Sequence, residues 1–318
     1  MLDTAIITEE NIASIPFYLG YEPEESVFAV WLNENKSMVL AQRCDLSDFD
    51  KPNFARSFVE ASSSAIKSSA LILTYSKRKM SELYPFVDAL GHEIQMSGME
   101  IEDICAVDGV EYRSYFAPAD QLDSQPAMIV ELSIMEDISE MMRLRGYTIE
   151  DKSAINERYM NSEDHYEPYK QKLEDFMGLE SRDTDYYADA AMAVYFGELR
   201  KTSRTLLSIS VSLHDLKIRD RLLWHIAQQD SQTIRMVLDF CTDVIKVTPK
   251  EFSSPIYTVA AICAWQLGNG ALANVLLGHS FNGDNSYGLS LLIKAALEHG
   301  ISPSFWVETI LSIEPEDI

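Results

Sequence analysis

Cysteine is scarce in this chain, four thiols in 318 residues. Cys44, Cys105, Cys241 and Cys263 stand far apart, none of them in a C-x-x-C pair, each in an apolar or strand-like stretch. A cysteine-based zinc site needs close ligand pairs, so that class is excluded and no metal or other cofactor is expected. Buried, reduced thiols point instead to a reducing compartment, the cytoplasm. Histidine is sparse too: His92, His165, His279 and His299 are isolated and read as surface or last-turn residues. There is no H-E-x-x-H, no G-x-S-x-G, no Walker loop and no kinase signature. No run of about 18 apolar residues occurs, which excludes a transmembrane helix. The opening MLDTAIITEENIASIPFYLG lacks the basic start and apolar stretch of a signal peptide. Cations are the last shortage, 26 Lys and Arg against 50 Asp and Glu, for a formal charge of −24. Such a surface repels phosphate and anionic lipid, so neither a membrane nor direct binding to a nucleic-acid backbone is expected. An acidic DNA-mimic or anti-defence protein is compatible with that charge, although the acid is spread along the chain rather than gathered in one stripe.

At roughly 100–200 residues per domain, the length suggests two domains. The pattern places an α/β domain at 1–117, a linker with bridging helices at 118–184 and an all-helical domain at 185–318. Thr8-Glu9-Glu10-Asn11 reads as a cap before a short helix that Pro16 ends and Gly20 closes. Ser26–Leu32 and Met38–Cys44, joined by polar turn residues, predict a hairpin. Helical spacing follows over Phe54–Ser69, then the apolar run Ala70–Tyr75, a strand covered on both faces, then a helix over Ser81–Ser97. Ile104–Val107 and Val110–Phe116 predict a second hairpin through Asp108-Gly109, in a type I′ turn. The order β-β-α-β-α-β-β implies a mixed sheet, parallel at its core and antiparallel at its edges. Beyond the polar stretch Pro118–Pro126 no strand is expected. Helices are predicted near Met128–Leu144, His165–Met177, Asp185–Glu198, Thr202–Leu213, Arg219–Asp230, Thr233–Ile245, Ile256–Gln266, Ala271–His279, Tyr287–His299 and Ser304–Ser312. The charged, tyrosine-rich stretch 145–184 reads as a bridging segment or arm.

The strongest local pattern is AAICAWQLGNGALANVLL. Small residues fill one helical face, Gly268 suits a left-handed cap, and Asn269-Gly270 opens the next helix. This is the design of a tetratricopeptide-like hairpin, with Trp265 and Trp306 as packing residues, although no second copy recurs at a period of about 34 residues. A phosphate-cradling role for Gly268-Asn269-Gly270 is set aside, because such a loop follows a strand and here a helix precedes it.

Two constellations carry charge. If the first hairpin pairs Ser26 with Asp45, then Glu24, Glu25 and Ser26 lie at the same end as Arg43 and Asp45, and together they form a candidate pocket whose carboxylates and guanidinium could hold a substrate or a metal. The plainer alternative is a strand-entry cap and a solvated ion pair worth under ~1 kcal/mol. The second group is Asp215, Arg219 and Asp220, where Asp215 and Arg219 sit four apart on a helix and pair; with Trp265, Gly268 and Gly270 these are read as structural.

Three stretches carry a family resemblance. Ile15-Pro16-Phe17-Tyr18-Leu19-Gly20-Tyr21-Glu22-Pro23-Glu24-Glu25-Ser26 resembles an opening I/V-P-x-L-L-G-F-x-P-x-D/E-S. Asp215-Leu216-Lys217-Ile218-Arg219-Asp220 is similar to D-x-x-x-R-D, and Ala264-Trp265 through Ala273, continued by Leu289–Gly300 and Pro303–Trp306, is similar to the closing A-W-x-x-x-G-D-G-A-L-A and its extension. These motifs are those of an actinobacterial domain-of-unknown-function family, numbered four-one-nine-two, and span nearly the whole chain. Abundant Ser, Asn, Ile and Tyr point to a host of lower G+C content or to a phage-encoded member. The resemblance implies fold and host but no activity. With more packing motifs than chemical ones, the expected function is a non-enzymatic cytoplasmic interaction protein with a protein partner, a homo-oligomer being compatible. The alternative is an enzyme or nucleotide-binding module using the pocket at the strand ends.

Overall fold

In the computed structural model, residues 4–62, 67–118, 120–161, 167 and 202–313 are described. The predicted helices His165–Met177 and Asp185–Glu198 lie outside them, apart from residue 167; the helix predicted over Phe54–Ser69 ends at Ala61, its residues 63–66 lie outside the described ones, and Ser69 already belongs to a strand. The chain divides into two compact units, Met1–Asp151 with Glu298–Gly300, and Lys152–Leu297 with Ile301–Ile318.

SVFAVWL is β-branched and aromatic along its length, and it becomes β1 (Ser26–Leu32), buried at every position. Its hairpin partner is β2 (Met38–Asp45), in a register that sets Ser26 opposite Asp45. The helix α2 (Phe54–Ala61) precedes β3 (Ser69–Tyr75), a second strand buried throughout. The helix α3 (Met80–Met96) then crosses to β4 (Glu100–Asp108), which pairs with β3 in parallel. The six-stranded mixed sheet has the order β2-β1-β3-β4-β5-β6, with β5 (Glu111–Ser114) and β6 (Met128–Ile129) closing one edge. Side chains alternate between the two faces. Val27, Ala29, Trp31, Ala70 and Ile72 pack with Leu83, Val87, Leu90 and Ile94 of α3 on one face. On the other, α1 (Thr4–Leu19) packs against α4 (Leu132–Leu144) and touches β4. The buried Glu9 of α1 is satisfied twice: the Tyr112 hydroxyl donates to Oε1 and the Glu131 N–H to Oε2, both at 2.8 Å.

Three local expectations need correction in this unit. The helix α1 starts at Thr4 and runs through Pro16 rather than ending there. A proline near a helix end forfeits one hydrogen bond, and the Pro16 carbonyl still accepts from Gly20 N–H at 2.8 Å, with Gly20 at φ +82°. The β4–β5 turn centres on Gly109 and Val110, because Asp108 pairs with Glu111. Only Gly109 takes positive φ, +61°, which is the type II′ pattern. Met128 and Ile129 form a strand against β5, so α4 begins at Leu132.

The second unit is helical in its described residues: α5 (Lys152–Tyr159), α6 (Ser203–Ser212), α7 (Leu216–Ala227), α8 (Ser231–Val247), α9 (Ser254–Gln266), α10 (Gly270–Gly283), α11 (Gly288–Glu298) and α12 (Pro303–Leu311). SPIYTVAAICAWQ is apolar all round, and α9 is accordingly central, buried from Ser254 to Trp265. It ends as the sequence predicts. Gly268 is left-handed at φ +79°, with Gly268 N–H on Trp265 O and Asn269 N–H on Ala264 O, both 2.9 Å; these are the two bonds of a Schellman motif. Asn269 then caps α10 by accepting from Leu272 N–H at 2.9 Å. Between α9, α10 and α11 lies a buried hydroxyl network: Thr258 Oγ1 and Ser290 Oγ are 2.6 Å apart, Ser280 Oγ and Ser290 Oγ 2.7 Å, and Ser254 Oγ donates to Ser280 O at 2.7 Å. All four thiols of the chain are free and buried; burial pushes the Cys44 thiol up to about 12, so it stays protonated and unreactive.

His279, read as a surface or last-turn residue, is half-buried near the end of α10 and stacks on Tyr257 with ring centroids 5.2 Å apart. Burial lowers its pKa. The unfolded chain therefore takes up this proton at a higher pH than the folded one, and stability present above pH about 6.5 falls as the pH drops below it. The melting temperature is expected to fall between about pH 7.5 and about pH 5.5, and to fall less in His279→Phe, which keeps the stack without the titration. Equal falls in the two proteins would remove His279 as the cause.

Candidate functional site

The parallel pair β3–β4 has a carboxyl-terminal edge, and in open α/β sheets ligands sit outside such edges. Here that edge opens into a cavity of about 630 Å³. Ile12, Ala13, Pro16 and Phe17 of α1 supply an apolar wall, and Met135, Ser139 and Arg143 of α4 a mixed one. The strand side is made by Tyr75, Ser76 and Lys77 at the end of β3, Val107–Val110 around the β4–β5 turn, and Glu22–Glu25 leading into β1.

Glu25 holds the rim together. Its Oε1 accepts from Ser76 Oγ at 2.6 Å and its Oε2 lies 2.7 Å from Arg78 Nη2. Its backbone is left-handed, φ +42°, a conformation that costs a non-glycine residue on the order of 1–3 kcal/mol. That strain sits at the mouth of the cavity. Tyr75 is one of the lining residues, with its hydroxyl sealed inside the protein. It is 4% exposed, its ring meets Phe28 edge-on at 5.3 Å, and its buried hydroxyl has no hydrogen-bond partner. Burial, with the Glu22 carboxylate nearby, raises the Tyr75 pKa strongly, so the hydroxyl stays protonated. Burial likewise raises the Glu22 carboxyl. Among the described residues, no group of three or more His, Cys, Asp or Glu is placed to hold a metal ion.

Of the residues singled out in the sequence, Glu24 and Glu25 line this cavity. Ser26 opens β1 between Asp45 on one side and Tyr75 on the other, its Oγ buried without a partner. Arg43 and Asp45 lie outside the lining and pair with each other at 2.6 Å. The strand order explains this: β1 separates β2 from β3, which sets the β2 end roughly 10 Å from the β3 end. Sequence reasoning missed Tyr75, Lys77, Asp108, Ser139 and Arg143. The turn after a strand buried on both faces was the available signal, since that is where a parallel sheet offers its carboxyl ends.

The other residues singled out belong to the second unit. Asp215 caps α7, accepting from Lys217 N–H at 2.9 Å. Arg219 is not its side-chain partner: the guanidinium pairs with Asp220 at 2.6 Å and donates to the Tyr287 hydroxyl at 3.0 Å. The cap leaves the Asp215 carboxylate facing backbone N–H groups at the helix start, ahead of Arg219. Trp265 and Trp306 pack with centroids 6.3 Å apart, and Gly268 and Gly270 form the α9–α10 bend.

No helix among the described residues is long and apolar enough to cross a membrane. No curated protein and no solved structure matches the chain. A family model does, over residues 9–304, and the chain belongs to that family, described as Domain of unknown function (DUF4192).

Proposed function

We propose that the first unit is a small-molecule-binding module whose site is the cavity at the β3–β4 edge. One observation carries this reading: a cavity of about 630 Å³ outside the carboxyl ends of the parallel pair β3–β4, walled by apolar side chains of α1 and by charged side chains at the strand ends. That size is usual for small-molecule sites. The lining holds no histidine and no cysteine, which favours binding over catalysis.

Native mass spectrometry of the protein purified from its own host is expected to show a bound small molecule that leaves on unfolding. Ser139→Phe, a half-exposed position on α4, fills the cavity and is expected to abolish that mass with the circular dichroism unchanged. Ligand-free protein from the host, with no fragment that stabilises it thermally, rules the reading out.

For the second unit, an interaction role is supported by Leu291, Leu292, Phe305 and Leu311, large apolar side chains left exposed on α11 and α12. The tetratricopeptide-like description fits the small-residue α9–α10 bend. Affinity purification from the host, comparing the native chain with Leu292→Glu and Phe305→Glu, tests it: a partner retained by both variants contradicts this role.

A further inference from the structure

The second unit begins at Lys152, and the first element it forms is α5. By itself KSAINERY has little reason to stay helical. Its eight residues are fewer than the roughly 12–15 that an isolated helix needs in water. Ile155 and Tyr159, four apart on one face, are its buried residues, and the other six are exposed. The contrast with α9, buried from Ser254 to Trp265, is large. What ties down the end of α5 is a set of bonds converging on one side chain. The Tyr257 hydroxyl of α9 donates to the Tyr159 carbonyl at 2.6 Å and accepts from the Asn161 N–H at 3.2 Å. Asn161 Nδ2 donates to the carbonyl of Thr248, just past α8, at 3.0 Å. The last carbonyls of a helix have no partner within it, so the phenol supplies what α5 cannot. Tyr257 is itself held fast, 1% exposed in the central helix with its ring stacked on His279.

Elements of such unequal burial do not open together. Local opening costs least where buried apolar side chains are few and the backbone bonds are exposed to water. We infer that α5 is a strap, docking and releasing as one piece while α8 and α9 stay folded, and that the Tyr257 hydroxyl is its latch. Release uncovers the stretch of α8 on which α5 packs, together with the Thr248 carbonyl and the Tyr257 hydroxyl, and so presents a surface that the docked strap hides.

Hydrogen exchange of the full chain, read peptide by peptide in a mass spectrometer, is the test. In the native protein the peptide spanning α5 and Asn161 is expected to exchange at least about tenfold faster than α9. Tyr257→Phe removes the hydroxyl and keeps the ring on His279. It is expected to speed exchange in α5 by about another tenfold, the order for bonds lost to a buried group, and to leave α9 and α10 unchanged. Asn161→Ala, at a half-buried position, is expected to act in the same direction by less, and it decides the matter alone if Tyr257→Phe does not fold. Exchange in α5 as slow as in α9 in the native chain would show that there is no strap. Exchange in α5 that neither substitution alters would show that Tyr257 is no latch. If α5 and α9 speed up together, the hydroxyl serves the stability of the whole unit, and the proposal is overturned.

Discussion

Trp31→Ala is expected to destabilise the first unit by about 3–5 kcal/mol, the range for emptying a buried aromatic site. Trp31 is fully buried on β1, in the middle of the hydrophobic face that receives α3. Three things are lost together. The indole volume leaves a cavity lined by a sheet and a helix that cannot easily collapse. The indole N–H donates to Gln42 Oε1 at 2.6 Å, so the amide oxygen loses its partner while Gln42 Nε2 still donates to Phe58 O. The ring also lies under the Lys67 ammonium, 3.9 Å from its centroid. Burial already pushes the Lys67 pKa down to about 8, and the aromatic face is one of the few groups that stabilise its charge. Trp31→Phe keeps most of the packing and is expected to cost less, about 1–3 kcal/mol, mainly through the orphaned amide oxygen. Urea denaturation of both variants decides the matter; equal losses would mean that the indole volume is not what counts.

Gly283→Ala is expected to destabilise the second unit by about 1–3 kcal/mol, the cost of forcing an extra methyl into a filled space. The glycine ends α10, and a Cβ there would sit 2.8 Å from the Lys250 carbonyl oxygen and 2.8 Å from Ser254 Oγ. Neither neighbour can move freely: one is backbone, and the other donates to Ser280 O at 2.7 Å within the hydroxyl network. Alanine is the better helix former by about 1 kcal/mol, which offsets part of this cost without reversing it. Gly278, on the same helix, supplies the control. It is exposed with nothing within 4 Å of its would-be Cβ, so Gly278→Ala is expected to stabilise by up to about 1 kcal/mol. Denaturation midpoints moving in the same direction for both substitutions would show that helix propensity, not the close approach, governs this helix.

The sheet-first, helices-after division was legible because strands and helices differ in period, and because ALILTY is apolar on both faces, as only a strand between two layers is. The first hairpin was legible from the polar turn at Asn33–Lys36, but the register that sets Ser26 against Asp45 depends on a bulge between Trp31 and Leu32 that no sequence pattern announces. What escaped was decided by tertiary context. Met128-Ile129 has no alternation to announce a strand, and it is one only because β5 offers an unpaired edge. Asp-Gly favours a tight turn whichever residue is central, and the pairing of Asp108 with Glu111 settled which. At the site, Glu24 and Glu25 stood out as a charged pair before a strand. Tyr75 looked like the last apolar residue of a core strand, and only the absence of a partner for its hydroxyl distinguishes it. Arg143 lies far along the chain on α4, and no local pattern links it to Lys77.

Glu9 bears on the binding role proposed for the cavity. One carboxylate holds the β5 phenol and the amide just ahead of α4, so the two helices that flank the hollow are clasped at their base by a group that never leaves the interior. The jaws are set before anything arrives. For the binding role proposed above, entry is expected to require little reshaping of the host, and selectivity to rest on what the visitor carries rather than on how far the protein bends to receive it.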